Sequence, residues 1–574
     1  MLSTATQVIL EQRAAYQGPE RTLCHHRPET ITRRLAHLLW LPRFDLVRPY
    51  HLRWARPLGL GLLAGGRATL GYSTLEHFLG DLEALRVATP LGDALARRYL
   101  KIWPVPAEGA FFYLDNRRKV RYSGYPIAAG KISASERVLG ATTQLFLHDA
   151  AGHGLHMHSG PGDEHMSRTL LPLVQHFLTL VGRERVRGIV ADQEMRSVAL
   201  FLALEALGLG FVTIGRTPTP QQEAAFEVAG LFLPYRRDPQ SGELTHWVAH
   251  AHTLLRDRST GLSFQAEVTL VVDCRAGLPG RLIPILHNWR DQDVPVELPR
   301  GVYVGRWAGQ ERVFRDMRPC QNLDAHYGQK KVAVPNRTQA RQREALQRQL
   351  HAQEKQVATA RRKVQEYMER RAALEQEAQQ KQRENQSQVM ALRQASREAT
   401  TPKEWERLLR QAERLLAKGQ VQQAGFRERG RRLVAQQRTW QRKLAERQGQ
   451  REKVAQALQE LAEQPLYDFD LEKDDLMTYL RLAGENAHRF VQEQYFAGTL
   501  LEKADEVTMV RVIYNQLGWV RRRGQHLHLL LQGYGDAEVQ AAVAQACQRV
   551  NQAQLKLPSG LQLHMEVAAK ILDC

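Results

Sequence analysis

AFFYLD (110–115) and VRGIVAD (186–192) are the two stretches on which the reading of this chain turns. Each is a short apolar run that closes on an aspartate, and such runs read as strands buried in a sheet. AFFYLD leads into a basic turn, and 120–126 reads as a second extended piece. TTQLFL (142–147) and GLHMH (154–158) read as a hairpin around the turn residues 149–152. A helix is expected over 167–180, before the strand 186–191. A second helix carries Val198, Leu200, Phe201, Leu204 and Leu207 and leads into the strand GFVTI (210–214). The order of four strands, helix, strand, helix, strand predicts an α/β core with a mixed sheet.

If the strands 110–115 and 186–191 are neighbours, Asp115 and Asp192 converge at one edge of the sheet. Two carboxylates brought together repel unless they share a proton or a cation. A pair of hard divalent cations held by oxygen ligands satisfies them and suits phosphoryl transfer. Each acid also has a structural reading: Asp115-Asn116 as a hairpin turn, Asp192 as the cap of the helix after it. A third acid, Glu311, lies in RWAGQERVFRDMR (306–318), which reads as a helix from Arg306 on. Glu311, Arg315 and Arg318 fall on one stripe of it, while Val313 and Met317 face the core. The plain reading of that stripe is a surface Glu–Arg pair worth about 0.2–0.5 kcal/mol. Glu194 is a rival or auxiliary acid close to Asp192. His153, His156, His158 and His165 invite a metal reading with Asp163, but no cysteine joins them and 163–165 reads as loop, so they are taken as strand and loop histidines.

Working outward, 217–301 holds strand-like stretches at 246–255, 262–272 and 281–287 and reads as a β-rich insertion. The core resumes at 302–336 with the helix bearing the third acid. The first 101 residues read as helical, for example 29–39 opened by Pro28, and 74–85. No helix-turn-helix stands out among them, and the glycines at 59, 61, 65 and 66 follow no strand, which excludes a dinucleotide loop. Residues 337–464 are dominated by Gln, Arg, Glu, Ala and Leu and contain no Asp. Leu350, Val357 and Val364 recur at heptad spacing, with Ala360, Tyr367 and Leu374 between them, as an a/d seam. TPKE (401–404) reads as a helix start, with Thr at the cap, Pro at the first position and Glu closing a capping box. Two helices of about 60 residues, each roughly 90 Å long, are expected to fold back as an antiparallel hairpin. The stretch 465–574 reads as a small α/β domain, with helices over 471–495 and 536–553 and strands over 527–531 and 562–567. Arg521, Arg522 and Arg523 sit at a hairpin tip.

The chain has 574 residues, with 80 Lys+Arg against 61 Asp+Glu and a net charge of +19. The excess is local: 29 basic against 16 acidic over 337–464, and 14 against 8 over 1–101. These two surpluses account for the whole net charge, while 102–336 stands at 26 against 23. These two basic segments suggest a polyanion, nucleic acid above all. A hydrophobic content of 43% excludes wholesale disorder. No apolar run reaches the ~18 residues of a membrane helix, and the N-terminus lacks a secretory pattern. Five scattered cysteines without a CxxC suit a reducing cytosol and exclude a disulfide framework or a cysteine-zinc module.

The chain resembles the insertion-sequence DDE transposases with a ribonuclease-H-like core. The matching pieces are FFYLDNRRKVRYSG (111–124), GATT (140–143), GIVADQE (188–194), RWAGQERVFRDMR (306–318), NLDAHYG (322–328) and LYDFDLEKDDLMTYLRLAGEN (466–486). The resemblance covers most of 110–330 and touches the C-terminal stretch. It implies Asp115, Asp192 and Glu311 as catalytic, metal-binding residues holding two Mg²⁺ ions, for which Mn²⁺ would substitute. It also implies that the β-rich insertion grips DNA ends. Tyr303, Arg306, Glu311 and Arg318 resemble the Tyr-Arg-Glu-Lys signature of one transposase group. Here Arg306 stands five residues before the Glu where that signature has four, and Arg318 stands where it has Lys. By the same resemblance Tyr303, Arg306, Arg315 and Arg318 are expected DNA contacts. The partners implied are double-stranded DNA (terminal inverted repeats and target) and a second copy of the chain in a synaptic complex. The setting is the cytoplasm, on the nucleoid, with no membrane. The competing readings are a catalytically degenerate DNA-binding scaffold and a ribonuclease-H-like nuclease that cuts without joining strands.

Overall fold

The computed structural model describes every residue except 20–21, 133–134, 276–279, 291–293, 307–311, 462–464, 558 and 570–574. The chain forms two compact units, one of Met1–Ala333 with Tyr467–Cys574 and one of Val334–Leu466. Among the described residues, no helix is long and apolar enough to cross a membrane.

The first unit is built on one large mixed sheet. Its strands are β1 (Ala110–Val120), β2 (Ala129–Ile132), β3 (Arg137–His148), β4 (Gly154–Pro161), β5 (Val186–Ala191), β6 (Gly210–Ile214), β7 (Glu227–Arg237), β8 (Leu244–Arg256), β9 (Ser263–Asp273) and β10 (Arg281–His287). The spatial order is β2-β3-β1-β5-β6-β10-β9-β8-β7, and β4 also pairs with β3. β1 runs antiparallel to β3 and parallel to β5, and β5 runs parallel to β6. From β6 outward, β10, β9, β8 and β7 pair antiparallel. The strands expected as an insertion therefore extend the core sheet itself. β5 is apolar along most of its length because it lies at the sheet centre with both faces covered. β7 was not foreseen. It is an exposed edge strand carrying Gly230, Pro234 and several bulges, features that keep an edge from pairing further and hide it from a hydrophobic pattern.

The helices of this unit are α1 (Leu2–Ala15), α2 (Pro28–Trp40), α3 (Leu58–Leu63), α4 (Tyr72–Ala84), α5 (Ala88–Ile102), α6 (Met166–Val181), α7 (Val198–Ala206), α8 (Pro220–Glu223), α9 (Leu298–Arg306) and α10 (Arg312–Gln321). α2 starts at Pro28 and buries Ile31, Leu35, Leu38 and Leu39, the stripe read from the sequence. α6 covers one sheet face, where Phe112 meets Phe177 at 4.9 Å between ring centroids. The other face packs Tyr113, Val190, Val212, Val248 and Val271 together, with Val302 and Tyr303 of α9 against them.

One expectation is corrected here. The chain does not turn after Asp115: β1 continues to Val120 and stays paired with β3 as far as Val120↔Ala141. Asp115-Asn116 is thus mid-strand. Arg117 and Lys119, which read as a turn by their charge, and Arg121 beyond them are buried because acids distant in sequence neutralise them.

The helix Glu472–Tyr495 belongs to the core of this unit. Leu476, Met477, Tyr479 and Leu480 share one hydrophobic cluster with residues of α2, α5 and the sheet. The side chain of Asn486 brackets the Gly154 backbone, accepting from its N–H at 3.1 Å and donating to its carbonyl at 2.8 Å. A Cβ on Gly154 would stand 2.6 Å from Leu482 Cδ2, so a side chain there would force Leu482 to shift. Beyond this helix, strands Gly518–Arg523, His526–Leu531 and Gln562–Val567 form a small sheet under the helix Ala537–Gln552, with its own cluster of Phe496, Leu501, Met509, Val543 and Cys547. Arg521–Arg523 are exposed at the end of its first hairpin.

The second unit consists of α11 (Arg337–Arg397) and α12 (Pro402–Glu460), 61 and 59 residues long. Thr401 caps α12 and Pro402 opens it, as read. Asn385 donates to the Leu415 carbonyl, Gln423 to that of Ala378 and Arg343 to that of Leu461. Partner numbers rise on one helix as they fall on the other, so the hairpin is antiparallel. Its seam is thin: Val357, Ala360, Val389, Ala412 and Phe426 are buried, and most remaining positions are exposed polar residues.

Candidate carboxylate site on the central strands

β1 and β5 are adjacent and in register, with Leu114 opposite Ala191. One step further along the chain stand Asp115, still within β1, and Asp192, just past the end of β5. Both follow residues of the Tyr113/Val190 face by two positions, so strand alternation aims both carboxylates at the face on which α9 packs. Asp115 Oδ1 accepts from the Asn116 N–H at 3.0 Å. Asp192 Oδ1 accepts from the Glu194 N–H at 2.8 Å, capping the single helical turn Gln193–Met195. Its carbonyl accepts from Thr213 Oγ1 at 2.7 Å. Capping and proximity to a second acid therefore coexist at Asp192, while α7 is capped separately by Ser197.

Burial raises the pKa of Asp192, and the charge of Glu194 raises it further; the Glu194 N–H, Arg306 and His165 oppose the shift. Glu194 is itself held from β1: Asn116 Nδ2 donates to it at 2.9 Å and Arg118 Nη1 at 3.4 Å. One acid in the middle of β1 and two just past the end of β5 are thus tied together through the Asn116 and Arg118 side chains and the Glu194 N–H.

α9 brings a cation to them. Tyr113 Oη donates to the Val302 carbonyl at 3.3 Å, and a Cβ on Gly305 would stand 3.1 Å from that same hydroxyl. The helix end is held close to the sheet, and Arg306 reaches Asp115 with Nη2 3.8 Å from Oδ1. Arg306 is only 8% exposed and lies over the Tyr303 ring at 5.8 Å, so its side chain turns to the carboxylates and not outward. Arg315 and Arg318 sit on the exposed side of α10, and Val313 and Met317 are buried. Glu311 lies outside the described residues, between the end of α9 and the start of α10.

Further along the same side of β1, Arg117, Lys119 and Arg121 enter a buried ionic network that sequence reasoning missed. Arg117 pairs with Asp324. Lys119 Nζ lies 3.6 Å from Asp474, Arg121 pairs with the same carboxylate, and Asp474 accepts from the Tyr327 N–H at 2.6 Å. Arg121 Nη1 donates to the Gly328 carbonyl at 3.0 Å. Burial pushes Lys119 well below its ordinary pKa, lowers Arg117 and Arg121 to about 10, and raises Asp475 to about 7. The stretches 111–124, 322–328 and 466–486, far apart in the chain, meet here. An available signal was the run of alternate cations on β1 set against the acids of 470–475.

The histidines do not gather as one group. His153 pairs with Asp149 at 2.7 Å and stacks on Trp103, His158 faces Glu164 at 3.6 Å, and His165 caps α6. His156 turns instead to Asp93 and His176. Comparison with models of known protein families and with characterised proteins finds no match for this chain.

Proposed function

We propose that the chain is a DNA transposase that cleaves and joins strands by metal-dependent phosphoryl transfer on a ribonuclease-H-like core. The observation that carries this reading is that Asp115 on β1 and Asp192, just past the end of β5, each directly follow the paired residues Leu114 and Ala191 of these adjacent parallel strands. The strand order β4-β3-β1-β5-β6, with β3 antiparallel to β1 and β5 and β6 parallel to it, supports the same fold class.

The donor set fits hard divalent cations. Neighbouring carboxylates, of which Asp192 is raised first by burial and further by the Glu194 charge, offer the oxygen donors such ions take. Asp115, Asp192 and Glu311 would hold two Mg²⁺ ions. When bound, such ions stabilise charge on the phosphoryl oxygens and supply an activated water or terminal 3′-hydroxyl. The protein's own part is to hold the carboxylates ionised and oriented. The Asn116 N–H fixes Asp115, the Glu194 N–H and Thr213 fix Asp192, and Arg306 offsets the negative charge between them. The basic surplus of 1–101 and 337–464 is suited to holding the DNA backbone. On this reading the partners are element ends, target DNA and a second copy of the chain at the nucleoid.

The test uses the full chain and a duplex carrying inverted repeats from the DNA that flanks the gene. Wild type is expected to nick the ends in Mg²⁺, while Asp115→Asn and Asp192→Asn bind the same duplex without nicking. Joining of pre-cut ends to a second duplex separates a transposase from a nuclease. Salt-steep binding with no Mg²⁺-dependent nicking would instead favour the scaffold. An Asp115→Asn chain that still cleaves would falsify the assignment.

A further inference from the structure

A second constellation lies away from the carboxylate site. Asp93 is on α5, His156 on β4 and His176 on α6. Nε2 of His156 lies 2.9 Å and Nε2 of His176 2.7 Å from the same oxygen, Asp93 Oδ1. The three potential ligand atoms all lie within 4.8 Å of one another.

The surroundings of His156 fix its tautomer. Tyr479 Oη donates to the Met157 carbonyl at 3.1 Å, so that hydroxyl hydrogen is engaged. Nδ1 of His156 faces the same carbonyl at 3.1 Å, while the Tyr479 oxygen stands beside both ring nitrogens, 3.3 Å from Nδ1 and 3.4 Å from Nε2. The carbonyl acceptor at Nδ1 calls for an N–H there. In the neutral ring the lone pair is then on Nε2, aimed at a carboxylate oxygen. A lone pair against a carboxylate is unfavourable without a cation between them. A metal-bound imidazole whose other nitrogen donates to a backbone carbonyl is the recurrent supporting arrangement of histidine metal sites.

We infer that Asp93, His156 and His176 form a zinc site that clamps α5 to β4 and α6. Two imidazoles and one carboxylate select a borderline ion such as Zn²⁺ over Mg²⁺. Ligand atoms about 2.0–2.2 Å from a tetrahedral ion stand ~3.3 Å apart, so the two nitrogens need to move from the oxygen by only about 0.5 Å. His156 is buried, with its side chain 4% exposed, while that of His176 is 39% exposed. The site therefore opens to solvent on one side, where water supplies the fourth ligand and the ion enters. Its ligands join the N-terminal helices to the sheet, so an ion bound only when all three are assembled stabilises the folded state.

The experiment strips the full chain with a chelator, loads it with Zn²⁺ and dialyses it into Mg²⁺ buffer. Wild type and Asp115→Asn are expected to keep one zinc per chain more than His176→Ala and Asp93→Asn. His250→Ala, which alters a separate His250/His252/Glu267 group, should keep as much as wild type. Co²⁺ in place of Zn²⁺ should give the visible absorption of a tetrahedral ion in wild type and not in His176→Ala. Zinc should raise the Tm of wild type and leave that of His176→Ala unmoved. The half-exposed His176 lets that variant fold, as circular dichroism would check. Equal zinc in wild type and His176→Ala, or zinc lost from His250→Ala and kept in His176→Ala, overturns the inference.

Discussion

Asp474→Ala leaves two buried cations facing an empty place. Asp474 is 1% exposed and Lys119 2%, with 3.6 Å between the ammonium and the carboxylate. At an effective dielectric of about 20, charges at that separation attract by roughly 5 kcal/mol. Arg121 adds a second pair to the same group, and the Tyr327 N–H loses its acceptor. Removing one partner of a buried ion pair typically costs about 3–5 kcal/mol because the other charge remains buried. Asp475, pushed up to about 7 by burial, is a poor substitute for the missing anion. The loss should appear where the network joins β1 to the helix Glu472–Tyr495. Hydrogen exchange followed by mass spectrometry should show protection of that helix falling by about 10²- to 10³-fold, the equivalent of that cost. Lys119→Met placed on Asp474→Ala should restore part of the protection, since it removes one uncompensated charge. Protection within about threefold of wild type would refute the network as a clamp, and failure of Lys119→Met to restore any would refute its electrostatic origin.

Three further outcomes follow from the same geometry. Asp475 has a folded pKa of about 7, raised from 3.8 by burial, so its contribution to stability is complete below about pH 4 and is lost as pH rises through 7. Asp475→Asn, which does not titrate, should gain roughly 2–3 kcal/mol on wild type between pH 5 and pH 8 in urea unfolding, and an unchanged difference would refute the assignment. At the carboxylate site, Glu194→Gln removes a charge that raises Asp192 and Arg306→Met removes one that lowers it. The acid limb of Mg²⁺-dependent cleavage should therefore move to lower pH in the first variant and to higher pH in the second, read from a pH–rate profile. Thr401→Ala should weaken the first turn of α12 by about 1 kcal/mol through loss of its cap, seen as faster amide exchange at 403–405 with the rest of the hairpin unmoved.

Local pattern carried much of the architecture. The apolar run 186–191 could only be a buried strand, and the Pro28 and Thr401-Pro402 starts specified their helices because capping is decided within a few residues. The heptad seam and the absence of Asp marked the hairpin, whose two helices need only each other. Asp115 and Asp192 were legible as candidates because each closes an apolar run of sequence. The length of β1 was not legible, since Arg117 and Lys119 are buried only because Asp324 and Asp474 arrive from elsewhere. β7 escaped for the opposite reason: its side chains are exposed, so no burial pattern was imposed on them.

The amino-acid sequence therefore specified its elements, its charge distribution and the residue types able to hold metal, all properties of short range. Which charges would be buried together, and which histidine would meet which acid, depended on strand register and helix docking. Asp93 and His156 are 63 positions apart and Lys119 and Asp474 more than 350, and no local preference couples them. Only the closing of the sheet under α5, α9 and the helix Glu472–Tyr495 removed water from those groups and made each one the other's necessary partner.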